Sequence, residues 1–91
     1  MIVTFQHKGL EELFLTGKSR RIGPAYARRC LRILQMLDDA TKPEEVNFAG
    51  SRFHPLHGLP RRWSLCVTGN YRITFGWSGE NAAEIDYEDY H

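Results

Sequence analysis

From Trp63 to Trp77 the apolar residues twice fall on every second position, and three residues separate the two runs. Trp63, Leu65 and Val67 form the first set; Tyr71, Ile73, Phe75 and Trp77 form the second. Side chains on a strand point to opposite faces in turn, so each run reads as a half-buried strand. For both sets to share one face of a hairpin, the connection must hold an odd number of residues. Thr68-Gly69-Asn70 meets that condition, and Gly69 or Asn70 suits the left-handed position of a three-residue loop. The hairpin's second face then carries Ser64, Cys66, Arg72 and Thr74, a polar surface with one fixed cation.

The rest of the chain is read around this hairpin. Met1–Phe5 is short, β-branched and apolar, and is expected to be a strand. Leu10, Leu13 and Phe14 have helical spacing within residues 7–16, and Gly17 is the expected stop. Pro24 suits the first turn of a second helix that runs to about Ala40, with Ala27, Cys30, Leu31, Leu34 and Leu37 as its buried stripe. Pro43 opens a short turn or helix. Residues 51–54 are expected as a short strand, and the two prolines and glycine between 55 and 62 as a loop. Ala83, Ile85 and Tyr87 mark a last strand. The order β-α-α-β-β-β-β argues for an α+β fold, residues 1–91 forming one domain. Two helices and an N-terminal strand would pack on one face of a twisted antiparallel sheet, leaving the polar face open as a natural site.

Charge is distributed unevenly. All 12 Lys and Arg lie within residues 1–72 beside six acids, a net +6, whereas residues 73–91 carry five acids and no base, a net −5. Lys18, Arg20, Arg21, Arg28, Arg29 and Arg32 form a strip with no acid among residues 18–32, suited to an anionic partner or to a solvated helix face. No apolar run approaches the roughly 18–20 residues of a membrane-spanning helix, and the N-terminus lacks the pattern of a secretory signal. A cytoplasmic protein without membrane association is expected. Cys30 and Cys66 have neither CxxC nor zinc spacing and read as reduced, core-type thiols.

No phosphate-binding glycine loop, nucleophile elbow or Cys/His metal signature is present, so no metal or other cofactor is expected. What remains is His54, His57, Arg72, Asp89, Tyr90 and His91 in the β-rich half. These residue types suit cleavage of RNA without metal. A base takes the ribose 2′-hydroxyl proton, an acid protonates the leaving 5′-oxygen, and a cation stabilises charge on phosphorus. Each also has a structural reading: His54 as a strand terminator before Pro55, Arg72 as a solvated cation, residues 89–91 as an inert terminus.

Along essentially its whole length the sequence resembles the HigB branch of the RelE toxin superfamily. The resemblance rests on Phe5-x-His7-Lys8-Gly9-Leu10-x-x-Leu13-Phe14-x-x-Gly17 and on Leu37-Asp38-x-Ala40-Thr41. It rests further on His54-Pro55-Leu56-x-Gly58, on Trp63-Ser64-x-x-Val67-x-x-Asn70-Tyr71-Arg72-Ile73-Thr74-Phe75, and on the closing Asp86-Tyr87-Glu88-Asp89-Tyr90-His91. It implies helices on one side of a twisted antiparallel sheet with the active site on its concave face. It also implies cleavage of mRNA in the ribosomal A site, and a helix-turn-helix antitoxin as partner. The toxin would be a monomer alone and a hetero-oligomer with that antitoxin.

By matched position, the resemblance implies His54 and His91 in acid/base work, with Asp89 orienting a histidine or serving as an alternate base. Arg72 would stabilise the phosphorane, and Tyr90 would position a base. His57 departs from the family pattern, where lysine is frequent after His-Pro-Leu. An imidazole with a reference pKa of about 6.5 is not a permanent cation; Arg61 and Arg62 stand close enough in sequence to compensate. His57, Arg61, Arg62 and the 18–32 strip are the expected RNA contacts. The alternatives are a gyrase-directed, ParE-like toxin of the same fold, and a catalytically silent module that binds an antitoxin.

Overall fold

The computed structural model describes residues 1–89. Helix α1 (Lys8–Thr16) and helix α2 (Pro24–Asp39) precede a single turn of 3-10 helix at Pro43–Val46. Strands β1 (His54–Pro55), β2 (Arg62–Cys66), β3 (Tyr71–Ser78) and β4 (Asn81–Asp89) follow and form an antiparallel sheet in that order. The fold is α+β, with both helices against one face of the sheet. Helix α1 ends where expected: Gly17 adopts φ +83° and its amide donates to the Leu13 carbonyl at 2.8 Å, a left-handed cap open to glycine at little steric cost. Pro24 opens α2 in the first turn, where its missing amide has no helical partner to lose.

The hairpin has the expected register. Trp63 lies opposite Phe75 and Leu65 opposite Ile73, while the Val67 and Thr68 amides both donate to the Tyr71 carbonyl across the three-residue loop. Leu65, Val67, Ile73 and Phe75 therefore share one buried face. They meet Leu10 and Leu13 of α1, and Cys30, Leu34 and Leu37 of α2. Ile33 joins the α2 stripe, whereas Ala27 and Leu31 sit at its half-buried margin. Truncating any of these buried leucines to alanine would cost about 2–5 kcal/mol.

Three expectations need correction. Residues 51–54 form no continuous strand; regular pairing is confined to His54–Pro55, because Arg52 takes a left-handed φ of +49°. The N-terminal strand reduces to two isolated parallel bridges, Ile2 with Ala82 and Phe5 with Ile85. Its cause lies in β4, where Glu84 takes a φ of +52° and the register slips opposite Phe75. The extra residue breaks the ladder, and the Thr4 hydroxyl accepts the Glu84 amide at 2.8 Å in its place. The same bulge changes the phase of β4. Ala82 and Ile85 enter the core, and Ala83 pairs with Gly76 rather than aligning with Ile85 and Tyr87. The N-terminal segment is also tied to α2, through the Ile2 amide and the Asp38 carboxylate at 2.9 Å. No helix among the described residues is long and apolar enough to cross a membrane.

Candidate active site

Cross-strand pairing arranges the helix-free face of the sheet in rows. His54, Ser64, Thr74 and Asp86 lie side by side across β1 to β4, and Cys66, Arg72 and Glu88 form the next row. The face is polar, as expected, but it is not bare. Ser64 and Thr74 are 2% and 0% exposed and form its floor. Arg62 folds over them, donating to the Thr74 hydroxyl at 3.1 Å and to the Glu84 carbonyl at 2.9 Å, with the Glu84 carboxylate 3.6 Å away. The Thr74 hydroxyl in turn donates to the Glu88 carboxylate.

Beside this network lies a cavity of about 240 Å³, lined by Arg52, His54, Ser64, Cys66, Tyr71 and Arg72 among others. Two cations and an imidazole thus face one space large enough for a phosphodiester. His54 is exposed, with Nδ1 3.1 Å from the Arg52 carbonyl oxygen. A carbonyl can only accept, so in this contact Nδ1 carries the proton and a neutral ring keeps Nε2 free as a base. The left-handed turn at Arg52 is what aims that carbonyl at the ring.

Asp89 is placed elsewhere. It pairs with Tyr71 at the end of β4, and alternation directs it away from the Arg72 row. Strands β1 and β4 are the first and last of the order, three strand spacings or about 14 Å apart. Asp89 lines a second cavity with His7, Arg21, Tyr26, Tyr71 and Tyr87. Among the described residues, the end of the last strand is thus separated from the His54 strand by β2 and β3. Tyr71 alone among the described residues lines both cavities. Tyr90 and His91 lie outside the described residues.

A family model described as RelE-like toxin of type II toxin–antitoxin system HigB matches residues 3–91. The chain belongs to this HigB-like family. It is also 39% identical, over 92 aligned residues spanning the whole of both chains, to the endoribonuclease HigB of Proteus vulgaris.

In this HigB-like chain the expected RNA contacts divide into three groups. Lys18, Arg20 and Arg21 are exposed around an open hollow after α1, and Arg28 and Arg32 are exposed on α2. Arg29 departs from them. It is half-buried, and its guanidinium donates to the Gly50 and Cys66 carbonyls at 3.3 and 3.2 Å, tying α2 to the hairpin. Arg62 is likewise held within the sheet, as described above. His57 and Arg61 are exposed in the loop before β2, and the Arg61 guanidinium lies 5.8 Å from the Trp63 ring centre.

The sequence reading missed Arg52, Tyr71 and Glu88. Glu88 stood within a quoted motif, and its place opposite Arg72 follows from strand register alone. Arg52 reaches the site through a left-handed turn that has no glycine to announce it. Cys66 also departs from expectation: it lines the open-face cavity, and its thiol donates to the Thr68 carbonyl at 3.3 Å. Cys30 does sit in the core, where burial pushes its thiol up to about 11 and keeps it inert. Among the described residues, no three His, Cys, Asp or Glu side chains converge in a metal-binding group.

Proposed function

We propose that this toxin is an endoribonuclease that cleaves mRNA in the ribosomal A site and so arrests translation. The observation that carries this reading is the His54 imidazole, held by the main chain with Nε2 free, in one cavity with Arg52 and Arg72. The endoribonuclease name of the full-length Proteus relative supports it. In the reaction the 2′-oxygen bonds to phosphorus as its proton passes to a base, and the bond from phosphorus to the 5′-oxygen breaks as an acid protonates that oxygen. The products are a 2′,3′-cyclic phosphate and a 5′-hydroxyl. His54 serves as one partner of the acid/base pair, and Arg72 bears on the phosphorane. Asp89, Tyr90 and His91 are assigned the second acid/base and positioning roles from the family resemblance.

A site with so few groups supplies little alignment of its own. The ribosome supplies the in-line geometry of the mRNA, and positioning of that kind contributes about 7–11 kcal/mol to barrier lowering in favourable cases. The antitoxin partner is a helix-turn-helix protein that binds the toxin into a hetero-oligomer.

The test compares purified protein on translating ribosomes and on naked mRNA. Cleavage on ribosomes that leaves 2′,3′-cyclic phosphate ends, with little cutting of naked RNA, is expected. Equal cutting of naked RNA at low enzyme concentration removes ribosome dependence. No cleavage in either setting, with inhibition of gyrase supercoiling, assigns the ParE-like alternative. The variant His91→Gln retains the terminal carboxylate but cannot shuttle a proton near neutrality. Its cleavage is expected to fall by about 10²–10⁴-fold, and a parental rate would move the duty to another residue.

A further inference from the structure

The second cavity, of about 310 Å³, lies where α1, the loop before α2 and the last two strands meet. Four rings run along it. Tyr71 and Tyr87 stack with centres 5.0 Å apart and planes 4° apart; Tyr26 meets Tyr71 at 6.0 Å and 45°; His7 meets Tyr87 edge-on at 5.6 Å and 75°. All four are only half-buried, unlike the leucines and isoleucines beneath them, so ring surface remains open to the cavity. Arg21 stands exposed at its margin and is shared with the neighbouring hollow lined by Lys18 and Arg20. Gly9 draws these parts together: a Cβ there would lie 2.7 Å from both His7 Cε1 and Arg21 Cβ. The Asp89 carboxylate stands at another side of the cavity.

Flat aromatic surface, a fixed cation and a carboxylate acceptor in one space match a nucleotide. The base has a π face for the tyrosines, the phosphate suits Arg21, and an exocyclic amine donates to a carboxylate. We propose that this cavity is a nucleotide subsite, which takes one unstacked base of an RNA strand against Tyr26 and Tyr71 and its phosphate on Arg21 and the basic loop. The proposal deepens the ribonuclease reading and rests on it. Because Tyr71 lines both cavities, the subsite lies one side chain away from the space shared by His54 and Arg72. A strand cut at His54 reaches it by passing over the hairpin end. Burial, with Arg21 nearby, holds the His7 imidazole below its ordinary pKa despite Asp86, so the ring is neutral at pH 7. Its Nδ1 accepts the Leu10 amide, which leaves Nε2 as a donor at the cavity wall.

The first test is an NMR titration of the full chain with cytidine and adenosine 5′-monophosphates, with inorganic phosphate as control. Shifts of the Tyr26, Tyr71 and Tyr87 ring signals and contacts from base protons to those rings are expected, while phosphate alone moves Arg21. Tyr26→Leu is expected to weaken nucleotide binding by roughly 5- to 160-fold, the range given by loss of stacking on one base, and Tyr26→Phe to bind like the parent. Arg21→Gln, at an exposed position, reports on the cavity should the leucine variant fold poorly. Ring signals unmoved by millimolar nucleotide, or moved only by an acidic peptide, overturn the subsite.

The second test is mRNA cleavage on ribosomes, where Tyr26→Leu is expected to lower kcat/KM by a similar factor. An abasic nucleotide beside the cleavage position abolishes the difference between parent and variant if the base comes from mRNA, and leaves it intact if the base is ribosomal. A parent that cleaves and a Tyr26→Leu variant that cleaves equally sinks the subsite alone. A parent that cleaves nothing sinks the ribonuclease reading, and the titration then decides the cavity.

Discussion

The start of α1 and the start of β1 each carry a histidine held at Nδ1 by the main chain, and the two are held in opposite senses. At His7 the ring nitrogen accepts the Leu10 amide at 3.2 Å, so Nδ1 is unprotonated. At His54 the ring nitrogen faces the Arg52 carbonyl at 3.1 Å and must donate. His7 is half-buried against Tyr87; His54 is exposed in the polar cavity. The same residue type thus becomes a helix cap in one region and a candidate base in the other. The group that differs is the backbone partner, an amide at a helix N-terminus against a carbonyl in a left-handed turn.

Because of this contrast, substitutions at the two histidines separate activity from stability. The largest effect is expected from His54→Gln, which keeps polarity but cannot transfer a proton. mRNA cleavage should fall by about 10²–10⁴-fold, while thermal stability stays within the roughly ±0.5 kcal/mol of an ordinary surface change. A variant that melts normally and cuts at the parental rate would break the comparison on the His54 side.

His7→Ala should show the reverse. Loss of an N-cap acceptor costs about 0.5–2 kcal/mol, and at about 4–8 °C per kcal/mol for a chain of this size the melting temperature should drop by several degrees. Cleavage measured well below the melting temperature should change far less than for His54→Gln. An unchanged melting curve would show that the cap contributes nothing.

The smallest effect is the pH dependence of stability. The folded His7 pKa lies below its reference of 6.5, chiefly through burial, with Arg21 reinforcing and Asp86 opposing. Above 6.5 the ring is neutral in both states. As pH falls through 6.5 the unfolded chain binds a proton that the folded ring resists, so stability declines until the lowered folded pKa is passed. His7→Asn retains a strong cap and should flatten this part of the curve of melting temperature against pH. A slope identical to that of the parent would assign the titration to other groups.

Legibility in the sequence followed the range of the interaction. The hairpin could be read because parity is local: Trp63, Leu65 and Val67 against Tyr71, Ile73 and Phe75 admit only an odd connection. Gly17 and Pro24 could be read for the same reason, since each fixes a helix end by its own backbone. The bulge could not, because it depends on one non-glycine residue, Glu84, entering left-handed space. It nevertheless shifts the phase of β4 and breaks up the N-terminal strand. Arg29 and Arg62 looked like free cations because their acceptors, the Gly50, Cys66 and Glu84 carbonyls, are distant in sequence. His54, Arg72 and Asp89 could be named as candidates, but their division between two cavities depends on strand order. The tyrosine-lined cavity draws on four separate segments, and no local pattern announces it.

The pairing of Ile2 with Ala82 and Phe5 with Ile85 also bears on how the protein is made. During synthesis the segment from Ile2 to Phe5 waits for a partner about eighty positions behind it. Until the segment 81–89 emerges, the sheet lacks the strand carrying Tyr87, Glu88 and Asp89, and the tyrosine-lined cavity lacks the walls those residues supply. A growing chain therefore completes the tyrosine-lined cavity only once β4 has been made, whereas the lining of the His54 cavity ends at Arg72.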